Sequence, residues 1–267
     1  MSRGSTRAPW FLAVPGLVAL GFLVIPLLAL LLQAPWRGFV GILSSPEALA
    51  ALRLSLLTSL LTTAVALLLG VPLAWLLARD VLPMTGLWRA LVVVPLLLPP
   101  VVGGVGLLTA LGRRGLVGQW LYQGFGLQLP FTTAGVIVAQ TFVAMPFLII
   151  AMEGGFRSMN RRLEEAAATL GASPWMTFRR VTLPMVAPAA VAGAVLCWAR
   201  ALGEFGATIT FAGNFPGVTQ TMPLAVYSAL ESDRSVAIAL SLILLLVSVA
   251  VLVALRGRYL YARSGAP

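Results

Sequence analysis

Long apolar stretches with almost no charge recur along the chain, and they constrain its fold more than any other feature. Each is about 19 to 26 residues long, enough to cross a hydrocarbon layer of roughly 30 Å as a helix. They cover residues 11–32, 52–77, 90–111, 132–152, 181–199 and 236–255. We therefore predict an all-α integral membrane protein with about six transmembrane helices, folded as a single domain over residues 1–267.

The composition excludes an ordinary soluble domain. Apolar residues make up 60% of the chain and charged residues only 10%, and the mean hydropathy is +0.98. Soluble domains carry charge on about a quarter of their residues. We conclude that lipid surrounds most of this chain.

All 18 cationic residues are arginine, and their positions predict the orientation of the chain, since short cytoplasmic loops are enriched in positive charge. With both termini inside, the cytoplasmic segments hold Arg3, Arg7, Arg79, Arg89, Arg157, Arg161, Arg162, Arg179, Arg180, Arg256, Arg258 and Arg263. The outer loops hold only Arg37, Arg113, Arg114 and Arg234. We predict an N-in, C-in protein of the cytoplasmic (inner) membrane. The isoelectric point near 11.5 follows from this topology and does not indicate nucleic-acid binding.

Several kinds of chemistry are excluded by the residue types that the chain lacks. It has no histidine and no lysine, and a nucleotide-binding P-loop requires lysine. Its single cysteine, Cys197, cannot form a disulfide within the chain or a zinc site of the Cys/His type. We expect no catalytic residue, metal site or cofactor in this chain.

The first stretch, 11–32, has some features of a secretory signal peptide, because Arg3 and Arg7 precede it. It is longer than the usual apolar core of such a peptide, and no small-residue cleavage site follows Leu32. We interpret it as a retained extra helix in front of the core helices over 52–255.

The predicted spans contain no aspartate, glutamate, lysine or histidine. Ion-coupled transporters usually bury such groups near the middle of the membrane, so their absence weakens that class. The third span holds Pro95, Pro99 and Pro100 followed by three glycines, which predicts a kinked helix. A kinked helix of this kind suits a transport pathway, although proline and glycine are common in membrane helices generally.

Four charges mark the outer side of the chain. Arg200 and Glu204 are four residues apart and share a helix face if the fifth span continues. They form either a local ion pair or a charge at the outer mouth of a pathway. Arg113 and Arg114 either attract an oxyanion or an acidic partner, or extend to lipid headgroups. The partly polar outer loop, 205–235, is predicted to line the same mouth.

The longest cytoplasmic loop, 153–180, is more than a linker. Asn160 is a suitable N-cap for a helix, and Gly171 supplies its C-terminal stop. A Ser-Pro pair at 173–174 favours the start of a second helix. Two short helices joined by a tight turn are therefore predicted, and the first carries an apolar stripe of Leu163, Ala166, Ala167 and Leu170. The stripe suits a closely approaching protein partner; alternatively, the hairpin lies on anionic lipid.

This loop resembles the EAA loop of ABC-importer permeases. The matching elements are Glu165-Ala166-Ala167, then Gly171, then Val181-Thr182-Leu183-Pro184, with valine where isoleucine is common. In that family the loop forms a coupling helix that docks into a cleft on a separate ATPase subunit. The resemblance therefore implies an ATPase contact formed by Glu164, Glu165, Ala166, Ala167, Gly171, Leu183 and Pro184.

Further segments are similar to the molybdate permeases within that family: PLLLPPVVGG, GRRGLVGQWL, EEAAATLGASPW and ARALGEFGATITFAGNFPGVTQTMPLAVYSAL. The resemblance implies a type I ABC-importer permease fold that imports its substrate by alternating access. It also implies a homodimer, two ATPase subunits that carry ATP and Mg²⁺, and an extracytoplasmic oxyanion-binding protein. Tungstate and sulfate/thiosulfate permeases are similar as well, so the substrate stays open among these oxyanions.

Candidate residues for the pathway or its outer mouth are Pro99, Pro100, Arg113, Arg114, Arg200 and Glu204. Two other classes remain beside the importer. An ion-coupled secondary transporter would lack its usual buried titratable group. A membrane enzyme or a structural subunit of a larger complex would lack a visible catalytic constellation.

Overall fold

The computed structural model describes residues 9–261, and within that range the chain is helical without β-strands. The helices are α1 Trp10–Leu32, α2 Phe39–Leu43, α3 Pro46–Ala78, α4 Thr85–Leu97, α5 Pro100–Leu111, α6 Gly118–Phe125, α7 Thr133–Ser158, α8 Arg162–Thr169, α9 Pro174–Thr177, α10 Leu183–Leu202, α11 Gly206–Ala212, α12 Met222–Ser232 and α13 Arg234–Tyr261. A π-helical segment, Phe178–Thr182, joins α9 to α10. The all-α fold is confirmed. Arg3, Arg7 and Arg263, which entered the orientation argument, lie outside the described residues.

Five helical segments of the described chain are long and apolar enough to cross a membrane, and a sixth span is counted if the bent pair α4–α5 forms one. The five are α1, α3, α7, the path Pro174–Leu202, and α13. Helix α3 begins at Pro46, six residues before the predicted stretch, because Ser45 caps it: the Ser45 hydroxyl accepts from the Ala48 N–H at 3.3 Å.

The third predicted span was expected to be one kinked helix, and this expectation was wrong. The chain bends by 116° between helix α4 and helix α5. The cause is the pair Pro99 and Pro100, because a residue that precedes proline is pushed out of the helical region. Leu98 and Pro99 are accordingly both extended, with ψ of 137° and 132°. Two consecutive extended residues end the first helix and start a second in a new direction.

Helix α7 is the centre of the packing. In an apolar 18-residue stretch of α7, 61% of the residues are buried, whereas none are buried in the corresponding stretch of α1. It packs against α3, α10 and α11, and the largest core cluster gathers side chains such as Leu77, Leu148, Met152 and Phe156. By contrast, α1 contacts α13 and otherwise exposes its apolar surface, as a peripheral helix in lipid does.

The buried face of α3 is polar without being charged. It carries a row of hydroxyl groups at helical spacing, from Ser55, Thr58, Ser59 and Thr62. The Thr62 hydroxyl donates to Gln140 Oε1 of α7 at 3.1 Å. The Ser55 hydroxyl accepts from the Met222 N–H at the start of α12 at 2.7 Å. These hydrogen bonds join α3 to the helices around its outer half.

Charges join the helices at the cytoplasmic end instead. The Arg89 guanidinium of α4 donates to Glu153 of α7 at 2.6 Å, to Asp80 at 2.7 Å and to the Leu77 carbonyl of α3 at 2.7 Å. Arg157 also pairs with Glu153, at 3.1 Å. One arginine therefore holds the ends of three helices together.

Candidate functional site

The cytoplasmic hairpin consists of α8, a tight turn and α9. Helix α8 starts at Arg162 rather than directly after Asn160, and Arg161 occupies the N-cap position. The Asn160 side chain still takes part, because its Oδ1 accepts from the Arg162 N–H at 3.1 Å. The displacement of one residue is within the usual uncertainty of a helix end.

Gly171 ends α8 in a left-handed conformation, with φ of +84°. The Ala167 carbonyl accepts from the Ala172 N–H at 3.0 Å, and the Ala168 carbonyl accepts from the Gly171 N–H at 3.0 Å. This pair of bonds is the Schellman motif, which requires a positive φ at the position of the glycine. An added Cβ would meet nothing within 4 Å there, so the requirement is conformational rather than steric crowding from the surroundings.

Helix α9 starts where the Ser-Pro pair predicts. The Ser173 hydroxyl accepts from the Met176 N–H at 3.3 Å, and Pro174 is the first helical residue. Because the π-helical segment continues directly into α10, residues Pro174–Leu202 form one helical path from the hairpin into the membrane. Helices α9 and α10 are therefore continuous with each other.

Large apolar side chains are exposed along the hairpin. The exposed fractions are 88% for Leu170, 69% for Trp175, 47% for Leu163 and 43% for Met176. We call these four residues the hairpin face. Ala166 is also exposed, whereas Ala167 of the predicted stripe is half-buried. Leu183 and Pro184 lie exposed at the start of α10. Large exposed apolar side chains of this kind are typical of a contact with a protein or a membrane surface.

The two adjacent glutamates of α8 point in different directions. Glu165 is exposed. Glu164 forms an ion pair with Arg79, at the end of α3, and accepts a hydrogen bond from the hydroxyl of Thr182. Arg79 was not a predicted site residue, because nothing in the sequence links it to a loop 85 residues later. Thus only one of the two glutamates is available to a partner protein.

On the outer side, Arg200 and Glu204 form an ion pair, with Nη1 and Oε2 2.5 Å apart. Helix α10 does not continue to Glu204 but ends at Leu202. The Glu204 side chain is 1% exposed, and its Oε1 accepts from the Ala207 N–H at 2.8 Å, which caps α11. The pair is therefore local and compensated, with Glu204 buried and Arg200 partly exposed.

The outer loop 205–235 is largely folded into the protein. Helix α11 packs against α5 and α7 with Phe211 fully buried, and α12 packs against α13 and α3. The close approach of α11 to α5 depends on glycine: a Cβ on Gly104 would lie 2.6 Å from Thr210 Cβ. The sequence did not predict these two helices, because the segment mixes polar and apolar residues.

Arg113 and Arg114 lie exposed after α5. The Arg113 guanidinium stacks on Tyr122 of α6, 4.1 Å from the ring centroid, and donates to the Tyr122 hydroxyl at 2.5 Å. Helix α6 also exposes Trp120 and Phe125, which is typical of a helix at the membrane–water interface. Arg113 is thus held by an aromatic ring, a contact that the sequence did not reveal.

The break between α4 and α5 leaves backbone groups without helical partners. Pro99 and Pro100 have no N–H, so the carbonyls of Pro95 and Leu96 lose the donors that a continuous helix would supply. Irregular backbone at membrane depth is tolerated only where protein or water faces it. Both prolines are exposed on this chain, which makes the break a candidate lining of an aqueous pathway.

The structure brings together the hairpin residues at the cytoplasmic end, and separately the break and the start of α11, where the Cβ of Pro100 lies 2.8 Å from a Cβ added to Gly206. It does not bring Arg113 or Arg114 into a hydrogen bond or ion pair with Arg200 or Glu204. Among the described residues, no group of three or more His, Cys, Asp or Glu side chains is arranged to hold a metal ion.

Comparison with known proteins gives the family. Residues 49–263 match the model of the "binding-protein-dependent transport system inner membrane component". The molybdenum transport system permease protein ModB of Mycobacterium tuberculosis is 43% identical over 233 residues, 87% of this chain and 88% of the relative. ModB of Escherichia coli K12 is 42% identical over 191 residues, 72% and 83% of the two chains. The sulfate permease CysT of E. coli K12 is 34% identical over 212 residues, 78% and 76% of the two chains.

Solved structures share the fold at low identity. A permease chain of a bacterial alginate ABC transporter, in complex with an alginate-bound periplasmic protein, superposes with a TM-score of 0.74 at 19% identity, covering 91% of each chain. The MetNI methionine ABC transporter gives 0.59 at 20% identity, covering 76% of this chain and 90% of the other. The type I ABC-importer permease fold is therefore confirmed. The chain belongs to the family of inner-membrane components of binding-protein-dependent transport systems.

Proposed function

We propose that this chain is the permease subunit of an ATP-driven importer and that its substrate is molybdate. The observation that carries the transport role is the exposed hairpin face, joined by one continuous helical path to α10 inside the membrane. Relatives named as molybdenum permeases, at 42–43% identity, support the choice of substrate.

The hairpin face suits a separate ATPase subunit. The chain has no lysine, so ATP and Mg²⁺ would be held by that partner and not here. Trp175 and Leu170 are large enough that burying each would contribute about 1.5–3 kcal/mol. Glu165, exposed beside them, would add a charge for an arginine or lysine of the partner.

Import would proceed by alternating access. Two copies of the permease would form the pathway between them, with an ATPase on each hairpin and an oxyanion-binding protein at the outer side. When the ATPases close on ATP, the hairpins would shift, and the rigid path Pro174–Leu202 would carry that shift into the membrane. The irregular backbone at Pro99 and Pro100 would face the water that accompanies the anion.

The charge pattern supports a permease without a tight site of its own. Arg200, in the outer half, is neutralised by Glu204, so this pair offers no net charge to an anion. A doubly charged oxyanion would bind weakly to such surroundings and leave quickly, as conduction requires. The binding protein would then supply both capture and discrimination.

The similarity to a sulfate permease keeps sulfate as the second candidate, with tungstate beside it. The decisive experiment measures molybdenum, tungsten and sulfur by elemental mass spectrometry in cells with and without this chain, grown in scarce molybdate with ample sulfate. We expect cellular molybdenum to fall without the chain and to recover when the gene is restored. Unchanged molybdenum together with a loss of sulfur or tungsten would reassign the substrate.

The transport class needs its own control. Proteoliposomes holding the chain alone should not accumulate molybdate under a proton or sodium gradient, whereas those holding the chain with its ATPase should do so when they are loaded with ATP and supplied with the binding protein outside. Gradient-driven uptake by the chain alone would instead favour an ion-coupled carrier.

A further inference from the structure

Glu164 and Glu165 are neighbours of the same chemical type, yet they lie in different surroundings. We propose that Glu164 is a positioning residue that ties the hairpin to the cytoplasmic ends of α3 and α10, so that all three move together, while Glu165 faces the ATPase. This inference rests on the proposed function, because it concerns how motion of the hairpin reaches the membrane helices.

The first tie runs to α3. Arg79 follows the last helical residue of α3, and its side chain is only 9% exposed, against 21% for Glu164. A pair that is mostly withdrawn from water is screened less than a surface pair. Arg161, which directly precedes α8, donates a guanidinium N–H to the Ala78 carbonyl oxygen at 3.4 Å. The start of α8 is therefore attached to the end of α3 at two points.

The second tie runs to α10. Thr182 is the last residue of the π-helical segment, is 1% exposed, and donates its hydroxyl hydrogen to Glu164 Oε1. A π-helical segment widens the helix locally and often marks a functional position. The Glu164 carboxylate thus binds Arg79 through Oε2. Through Oε1 it binds Thr182, where the π-helical segment ends and α10 begins.

Glu165 makes neither kind of contact. Within the described part of the chain it has no ion pair and no side-chain hydrogen bond. It lies next to the hairpin face, where a docked ATPase would cover it. The two glutamates therefore form a matched pair: one holds the hairpin to the permease, and the other is free for the partner.

Loss of Glu164 should separate ATP hydrolysis from transport. The ATPase would still dock on the hairpin face and close on ATP, but α8 would shift without carrying α3 with it, and α10 would follow only through its helical continuity with α9. Loss of Glu165 should weaken docking instead. The two variants should therefore differ in transport per ATP hydrolysed. A residue that only supports the fold would not change that ratio.

The test uses the complete importer, with ATPase and binding protein, in proteoliposomes loaded with ATP. Molybdate taken up per ATP hydrolysed is compared for wild type, Glu164→Gln, Thr182→Val and Glu165→Gln. We expect Glu164→Gln to retain a full complement of ATPase on purification while its uptake per ATP falls about tenfold. Thr182→Val, which removes one hydrogen bond, should lower it about threefold. Glu165→Gln should reduce the amount of bound ATPase, so that ATP hydrolysis and uptake fall together.

Exchange of the charges tests the pair itself. The Arg79→Glu and Glu164→Arg variants should each be uncoupled, and the double variant should recover part of the lost uptake per ATP. The inference is overturned if Glu164→Gln couples normally, or if it loses ATPase just as Glu165→Gln does. A wild-type complex that takes up no molybdate would overturn the proposed function itself, whereas normal wild-type uptake with normal Glu164→Gln coupling removes only this inference.

Discussion

The two ends of the molecule are held together by different chemistry. At the cytoplasmic end, charges join elements that are distant in sequence: Arg79 pairs with Glu164, and Arg89 pairs with Glu153. At the outer end, the ion pair of Arg200 with Glu204 stays within four residues of chain. The outer helices are joined instead by hydroxyl groups, whereas close approach at glycines occurs at both ends.

The difference indicates how each end responds to force. Charge-assisted bonds between helices are about twice as strong as neutral ones and fix orientation, so the cytoplasmic ends behave as one frame. Neutral hydroxyl contacts are weaker, so we expect the outer helices to rearrange more readily than the cytoplasmic ends. An importer driven from the cytoplasm needs this asymmetry: a firm connection where the motor acts, and an adjustable one where the substrate enters.

The strongest test of the cytoplasmic half is the turn at Gly171. Valine there must adopt a φ of about +84°, which is strongly unfavourable for a β-branched residue, so the angle between α8 and α9 would change. We expect Gly171→Val to abolish uptake in membrane vesicles while the amount of inserted chain, measured by immunoblot, stays the same. Gly171→Asn is the matched control, because asparagine tolerates this conformation and should keep most of the uptake. Normal uptake by the valine variant would remove the hairpin from the coupling mechanism.

Next in size is the contrast between a buried and an exposed pair. Glu204→Gln keeps an acceptor for the Ala207 N–H but leaves Arg200 without its counter-charge, which should cost roughly 3 kcal/mol. Asp80→Asn alters a pair whose carboxylate is 62% exposed and should cost less than about 1 kcal/mol. Thermal unfolding of the purified variants in detergent measures both. Equal losses would show that the Arg200–Glu204 pair is solvated rather than buried.

A smaller effect is expected at the contact of α5 with α11. A methyl group at Gly104 would come within 2.6 Å of Thr210 Cβ and 3.0 Å of the Ala207 carbonyl, so Gly104→Ala should destabilise the chain by about 1–3 kcal/mol. Gly106, on the same helix, has open space, so Gly106→Ala should be neutral or slightly stabilising. The readout is again the unfolding temperature. If both variants behave alike, the outer helices do not depend on this close approach.

The smallest predicted effect concerns Arg114 on the outer surface. If its charge steers an oxyanion or the acidic surface of a binding protein, Arg114→Ala should lower uptake about twofold in low salt and have no effect in high salt. Arg113→Ala should also disturb the contact with Tyr122, so it is the less specific variant. Arg37→Ala provides a control that removes another exposed outer arginine. Uptake that is unchanged at both salt concentrations would leave Arg113 and Arg114 without a role in steering.

Local chemistry made much of the fold predictable. The apolar runs located the long helices, and Gly171 with the following Ser-Pro pair located the hairpin, because each depends on residues close in sequence. The sequence predicts a kink where the structure has a 116° break. A single proline usually bends a helix, whereas the adjacent pair Pro99 and Pro100 ends it. The different directions of Glu164 and Glu165 were hidden because they are set by Arg79, which is remote in sequence.

The length of α3 adds a mechanical consequence. Its 33 residues extend about 50 Å, and near one end Gly70 lets it approach α7 closely, where an added Cβ would lie 3.2 Å from Ile149. If α3 turned as a rigid body about that contact, the arms would be about 13 Å to Arg79 and about 36 Å to Pro46. A rotation about it moves the outer end almost three times as far as the cytoplasmic end. A displacement of about 1 Å at Arg79, where Glu164 holds α3, would thus become a shift of nearly 3 Å at Pro46, in the opposite direction.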